Sequence, residues 1–356
     1  MLYTITIYLV TPSIVSKNYD MPYYMSGTQK DKVSFSSNKI IIRAKRKKLC
    51  SEDTIFFNVQ NSIYNQMYKC LLFHYAVNGE NSKIEKIGIE VTSQTFCKKR
   101  YVKEFSDENQ PFPLYKSPVA FDIQSLELLF DETNNAYQAR MVMAHWMTAV
   151  VKSNNTLKKL ECLWRTFERL CAYHRHRPIN ERSNIADGLK MMIEELTNNP
   201  LAYSKSENFV HSYTEDYLRG FLWHDMIANN YPKGGNEFKY KDYVKYLVSC
   251  FHDERVVKLM YDMRHYREQD LKHWNLYSSM KHELLNKMAA PVQNDVDLVA
   301  LLCCHYAYYL RNRLFHGQSL IRCSIFKTNV DSMRLESISN LLELITIELI
   351  NNLRNL

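Results

Sequence analysis

The stretch best equipped for chemistry is Tyr308-Tyr309-Leu310-Arg311-Asn312-Arg313-Leu314-Phe315-His316-Gly317. It brings a permanent cation, a carboxamide and an imidazole into one short segment. An arginine and a histidine are the minimum set for cutting RNA without a metal. The ribose 2′-OH must lose a proton to attack the neighbouring phosphorus, and the departing 5′-oxygen must gain one. Histidine exchanges protons near neutral pH. Arginine offers a planar, always-charged fork to the charge that develops on the phosphorane. Arg311 and His316 are therefore the candidate catalytic pair, with Asn312 as a supporting polar group and Arg313 as a neighbouring RNA contact.

The spacing alone is not selective. Arg-x4-His occurs four times, at Arg140/His145, Arg169/His174, Arg219/His224 and Arg311/His316. Context separates them. Only Arg311 is followed by a polar residue, and only His316 is followed by a glycine suited to ending a helix. On a helix, residues five apart lie about 140° from each other, so Arg311 and His316 do not share a face. Asn312 and His316, four apart, do share one, and Asn312 can orient the imidazole. Arg311 reaches a common site either by its long arm or through a second copy of the helix across a dimer axis. A histidine at a helix C-terminus has its cationic form favoured, which suits a general acid.

Other charged segments carry weaker signals. Arg43-Ala44-Lys45-Arg46-Lys47-Lys48 could grip phosphates, or form a solvated strand end. Lys98-Lys99-Arg100 leans toward the solvated reading. His174-Arg175-His176-Arg177 fits a cation-rich helix terminus better than an RNA contact. Asp295 and Asp297 read as the cap and first-turn acids of a helix and need no metal. No metal and no cofactor is expected.

Composition narrows the classes further. The chain has 356 residues and a formal net charge of +8. That length suggests about two domains. Its 46% hydrophobic and 24% charged residues are a globular balance. Only 8 residues are glycine. GxxxxGK[ST], GxGxxG, HExxH and the EF-hand loop are all absent, which removes the P-loop, Rossmann, zincin and calcium-loop readings. No two of the 9 cysteines are spaced CxxC, so free thiols in a reducing, cytoplasmic setting are expected. The first residues read as a strand rather than a leader, and no apolar run is long enough to span a membrane.

The pattern predicts an α+β chain. β-branched and aromatic runs at 3–10, 33–35, 39–43, 54–59, 71–77 and 84–92 read as strands, with Asn78-Gly79 as a hairpin turn. Pro111, Pro113 and Pro118 mark a boundary, giving a β-rich domain over 1–118 and a larger all-α domain over 119–356. Helical spacing covers 136–151, 156–174, 184–198, 208–229, 239–250, 253–268, 271–289, 295–316 and 331–353.

Leu310-Arg311-Asn312-Arg313-Leu314-Phe315-His316-Gly317, closing a long helix, resembles the HEPN superfamily, and in flavour its Apea-like HEPN domains. Leu163-Trp164-Arg165-Thr166-Phe167-Glu168 is similar to the aromatic-plus-Glu first helix of those domains, although Glu168 itself reads first as a salt-bridge partner. The likeness covers roughly residues 135–352. It implies a helical bundle that forms a homodimer around the Arg/His motif. It also implies a metal-independent endoribonuclease leaving a 2′,3′-cyclic phosphate, of toxin–antitoxin or antiphage type. Arg311 and His316 would be catalytic there and Asn312 supporting, acting on single-stranded or looped RNA. An antitoxin or a phage-derived trigger would be a partner, and residues 1–118 would sense, bind a partner or hold RNA. The alternative is an inactive HEPN-like adaptor that binds nucleic acid or a protein.

Overall fold

A computed structural model describes residues 1–23, 28–93, 99–112, 115–152, 154–174, 185–221, 223, 226, 237–315 and 330–353. The fold is α+β, and the chain divides into two compact units, Met1–Ser153 with Leu349–Leu356, and Asn154–Glu348.

The first unit is built on a six-stranded antiparallel sheet of order β2-β3-β4-β1-β5-β6. Its strands are β1 Leu2–Leu9, β2 Asn18–Pro22, β3 Lys30–Ser36, β4 Lys39–Lys45, β5 Ile84–Thr92 and β6 Lys99–Glu104. Strict alternation explains why the sheet has one dry face. In β1, Tyr3, Ile5, Ile7 and Leu9 are buried while Thr4, Thr6 and Tyr8 point outward. In the central pairing Ile5 stands opposite Ile42 on β4 and Ile89 on β5.

Two predicted strands are helices. Residues 54–59 fall largely in α1, Glu52–Phe57, and 71–77 fall in α2, Ser62–Asn78. A short apolar run cannot by itself distinguish a buried strand from a buried helix. The caps decide: Asn61 Oδ1 accepts the N–H of Ile63 at 2.8 Å, starting α2. Gly79 then ends it at φ +56°, with its N–H on the Tyr75 carbonyl. Asn78-Gly79 is thus a helix terminus and not a hairpin turn.

The boundary also moves, from 118 to the end of α4, Asn134–Val151. Pro111 and Pro118 do lie outside regular structure, but the segments beyond them complete the first core. Phe130 packs 4.9 Å from Phe73 and 4.7 Å from Tyr19 (ring centroids), and Phe35 lies 5.3 Å from Phe73. Phe121 meets Trp146 of α4 edge-on at 4.9 Å. A short helix α3, Ile123–Leu126, capped by Asp122, is held to this unit by Asn351, whose backbone carbonyl accepts the Ser125 hydroxyl.

His74 of α2 is buried, with Asn78 Nδ2 2.9 Å from its Nδ1, and burial pushes its pKa down to about 4. The unfolded chain therefore binds a proton between the free-histidine value and pH 4 that the folded chain does not. The contribution of His74 is complete above about pH 6.5 and shrinks toward pH 4, by up to about 3 kcal/mol. Melting temperatures read across that range should fall in the native chain and fall less in His74→Gln.

Among the described residues, the regular structure of the second unit is helical, apart from one isolated bridge between Asp253 and Val292. It contains α5 Thr156–His174, α6 Ile185–Asn198, α7 Ser204–His211, α8 Glu215–Arg219, α9 Glu237–Cys250, α10 Glu254–Met263, α11 Glu268–His273 and α12 Tyr277–Ala289. A long helix follows, made of α13 Asp295–Ala300, a π-helical segment Leu301–Tyr306 and α14 Ala307–Phe315. The last helix is α15, Val330–Asn351. Two predicted helices are broken. Within 208–229, α7 stops at His211 and Thr214 caps α8 through the Tyr217 N–H. Within 271–289, Asn275 takes φ +57°, and the bonds Leu276 N–H to Leu271 and Asn275 N–H to Lys272 close a Schellman turn.

Candidate functional site

The long helix that ends at the candidate motif is positioned from its first turn. Asn294 caps it, with Oδ1 accepting the Asp297 N–H. Asp295 is not the cap but a charge partner: its carboxylate takes Arg255 Nη2 at 2.6 Å and His211 Nδ1 at 2.7 Å. Arg255 is buried and also forks onto Asp253, at 2.9 and 2.7 Å. Its Nη1 reaches the carbonyls of Val210 and Tyr213, each at 3.2 Å, satisfying the end of α7 and explaining the break there. Burial pushes Asp295 up, but the hydrogen bonds from His211 and Arg255 outweigh it and hold the carboxyl below its usual range. Burial raises Asp297, although the N–H groups of His252 and Asp253 both point at its Oδ2. Both acids are thus consumed by the fold.

After α13 the helix widens. The Ala307 N–H bonds to the Leu302 carbonyl five residues back, the mark of a π turn. Cys303 and Cys304 are buried here, and burial pushes both thiols up. The described cysteines carry no disulfide. His305 packs against Phe251 and Tyr246, and burial pushes it down to about 4.

The C-terminal half of the long helix is seated by aromatic contacts. The Tyr306 ring lies 4.9 Å from Trp223 and 5.1 Å from Phe221. Trp164 of α5 lies 5.7 Å from Tyr308, while Cys171 of the same helix is the neighbour that raises the Cys303 thiol. α5 therefore runs antiparallel to the long helix. That order puts Glu168 beside the π-helical segment and away from Arg311. Glu168 makes no ion pair with a described residue, so the expected salt bridge is absent there.

On the last turns of α14, Arg311 Nη1 donates to Asn312 Oδ1 at 2.9 Å, and both side chains are half-buried. Arg313 lies over the Tyr309 ring, 5.8 Å from its centroid. His316 and Gly317 lie outside the described residues, as do His224, Lys98 and 175–178. Two other Arg-x4-His copies are structural. Arg140 caps the carbonyls of Leu129 and Asp131 and pairs with Glu132. Arg219 pairs with Glu215 and Asp262.

No protein-family model matches the chain. No curated protein and no solved structure matches it either. The residues of this chain alone therefore carry the functional reading.

The basic run of the first unit splits in two. Arg46 is not an RNA contact: it forks onto buried Asp31 at 2.8 and 2.6 Å, donates to Ser62 Oγ at 2.8 Å and covers the Tyr23 ring at 3.7 Å. Its side chain is only 8% exposed. Gln66 Nε2 adds a third bond to Asp31 at 2.9 Å. Arg43, Lys45, Lys47 and Lys48 remain exposed. No cluster of three or more metal-ligating side chains occurs among the described residues, and no helix of theirs is long and apolar enough to cross a membrane.

Sequence reasoning missed the Arg255 network. Its partners lie 40 residues apart for Arg255 and Asp295, and 84 for His211 and Asp295. Only the helix start at Asp253 was a local signal.

Proposed function

We propose that the chain is a metal-independent endoribonuclease, with Arg311 and His316 as its catalytic pair and Asn312 as their positioning partner. The observation that supports this reading most directly is the contact between Arg311 and Asn312, half-buried at the end of a helix whose first-turn acids, Asp295 and Asp297, are engaged within the fold. The motif's resemblance to HEPN domains supports it too. Asn312 steadies the guanidinium, and the fork aims at a phosphate. His316, four residues beyond Asn312 in the sequence, exchanges the protons of the 2′-OH and the leaving 5′-oxygen. The offset between Arg311 and His316 calls for a twofold dimer, in which each cleft takes residues from both copies. We read the chain as a toxin or antiphage effector.

Cleavage should persist in EDTA and leave 2′,3′-cyclic phosphate ends, and DNA should stay intact. Mass spectrometry of the products checks this. Activity that vanishes on chelation, or 3′-hydroxyl products, would remove the mechanism. RNA binding without any cleavage would instead favour an adaptor role. For the dimer, mixing Arg311→Ala with His316→Ala chains should restore some activity in proportion to the heterodimer formed. An active monomer in sedimentation would exclude the shared cleft.

A further inference from the structure

The outer face of the sheet is a solvent-facing feature that the cleavage reading leaves unused. Its side chains are the outward-pointing members of each strand, so register fixes their neighbours. Lys32 on β3 stands directly opposite Arg43 on β4, and Lys30 and Lys45 lie one step along the same face. Successive outward residues are about 7 Å apart along a strand, and neighbouring strands about 4.8 Å apart. Four cations thus occupy a patch only a few ångströms on a side. All four are exposed, and none forms an ion pair with a described residue. The one carboxylate directly opposite any of them is Asp20, across from Lys32 on the edge strand β2, and no ion pair joins the two. Farther across the same face the charges are matched, for Arg100 holds Glu90 at 3.1 Å.

Like charges directly opposite each other on a sheet destabilise it. Arg46, one residue from Lys45, turns to the inner side and takes Asp31. The outward cluster has no such partner, so its electrostatic complement is an external anion with several charges at short spacing. The remaining groups on the face specify the anion further. Thr4 stands between Arg43 and Glu90, and Thr6 between Ile41 and Gly88, offering hydroxyls that bond phosphate oxygens and sugars. Tyr8 is 37% exposed, stands beside Gly88, and has Lys86 Nζ 5.1 Å from its ring centre. A ring held open next to a cation is a stacking platform for an unpaired base. Leu2, opposite Lys45, and Ile41, beside Arg43, are the apolar groups next to the cluster, but the hydroxyls of Thr4 and Ser34 and the open Tyr8 ring favour nucleic acid over a lipid surface, which needs more apolar side chains to insert beside the cations.

We propose that this face docks the phosphodiester backbone of single-stranded nucleic acid through Lys30, Lys32, Arg43 and Lys45, with Lys47 and Lys48 at the rim. The inference goes beyond the catalytic reading and does not depend on it.

The test is fluorescence anisotropy of the full chain with a labelled 2′-O-methyl oligouridylate, which lacks the attacking hydroxyl and cannot be consumed by 2′-OH cleavage. Lys32→Gln/Arg43→Gln/Lys45→Gln should weaken binding at least tenfold near 0.1 M salt. It should also flatten the slope of log affinity against log salt by about 2, from three lost contacts at about 0.7 each. Lys116→Gln/Lys152→Gln/Lys205→Gln removes the same net charge from exposed positions elsewhere and should change binding less than twofold. Equal losses in both triples would reduce the effect to net charge and overturn the proposal. So would unchanged binding in the first triple, or binding to phosphatidylserine vesicles that the first triple abolishes while oligonucleotide binding survives. Circular dichroism of both triples checks that the sheet is intact. A chain that binds the probe through this face but cuts no RNA would refute the cleavage reading and leave this one standing.

Discussion

An Arg311→Ala chain is expected to cleave RNA about 10²–10³-fold more slowly than the native chain, the scale of removing one preorganised donor from a developing charge. His316→Ala should lose about 10²–10⁴-fold, the usual worth of a positioned proton donor or acceptor. The comparison that gives these numbers meaning is Arg219→Ala. Arg219 has the same spacing to a histidine, but its guanidinium is tied to Glu215 and Asp262 on the surface. Losing such exposed pairs costs about 1 kcal/mol or less, so Arg219→Ala should keep near-native cleavage. Asn312→Asp adds a second discriminator. It keeps the acceptor for Arg311 Nη1 but adds a charge, which should bind the guanidinium more tightly and compete with the phosphate. Its loss should appear mainly in KM. Initial rates on one labelled RNA separate all four variants. Equal losses at Arg219 and Arg311 would show that the motif is not the site.

The largest expected effect on stability is at Arg255. Its guanidinium is shared by Asp253 and Asp295 and by carbonyls at the end of α7. Asp253 is fully buried. Arg255→Ala leaves that carboxylate in the interior without its counter-charge, which costs about 3–5 kcal/mol. For a unit of this size, that should lower the melting temperature by on the order of 10 °C. Arg255→Lys should recover only part of the loss, since an ammonium cannot fork onto Asp253 and still reach Asp295. Calorimetry gives both values. An Arg255→Ala chain that melts within a degree or two of the native one would mean that the network contributes little.

What the sequence revealed, and what it hid, follows the range of each interaction. The strands β1 and β5 are legible because alternation is a property of neighbouring residues, and Ile5, Ile7, Ile87 and Ile89 announce their own faces. The true nature of 71–77 was hidden because a short apolar run fits either period until a cap decides, and the turn at Asn275 because helical spacing runs on both sides of it. The domain limit was hidden because proline interrupts hydrogen bonding but says nothing of where Phe121 and Phe130 will pack. At the site, the contact between Arg311 and Asn312 was hidden, because the four-residue spacing pointed Asn312 toward His316 rather than toward its own neighbour in the chain. Arg46 looked like one more cation in a row because Asp31, its partner, comes from the neighbouring strand. Asp295 looked like a cap for the same reason.

The π-helical segment between Leu301 and Tyr306 makes the angular setting of Arg311 depend on counting. A π turn holds one residue more than the α turn it replaces, so everything beyond it is out of phase with everything before it. Deleting one residue from this segment would let the helix close as a continuous α-helix. Arg311 and Asn312 would then swing by about 100° around the axis without any change in their identity. Chain length here acts as a dial: homologous helices with the same composition and one residue fewer would present a different face.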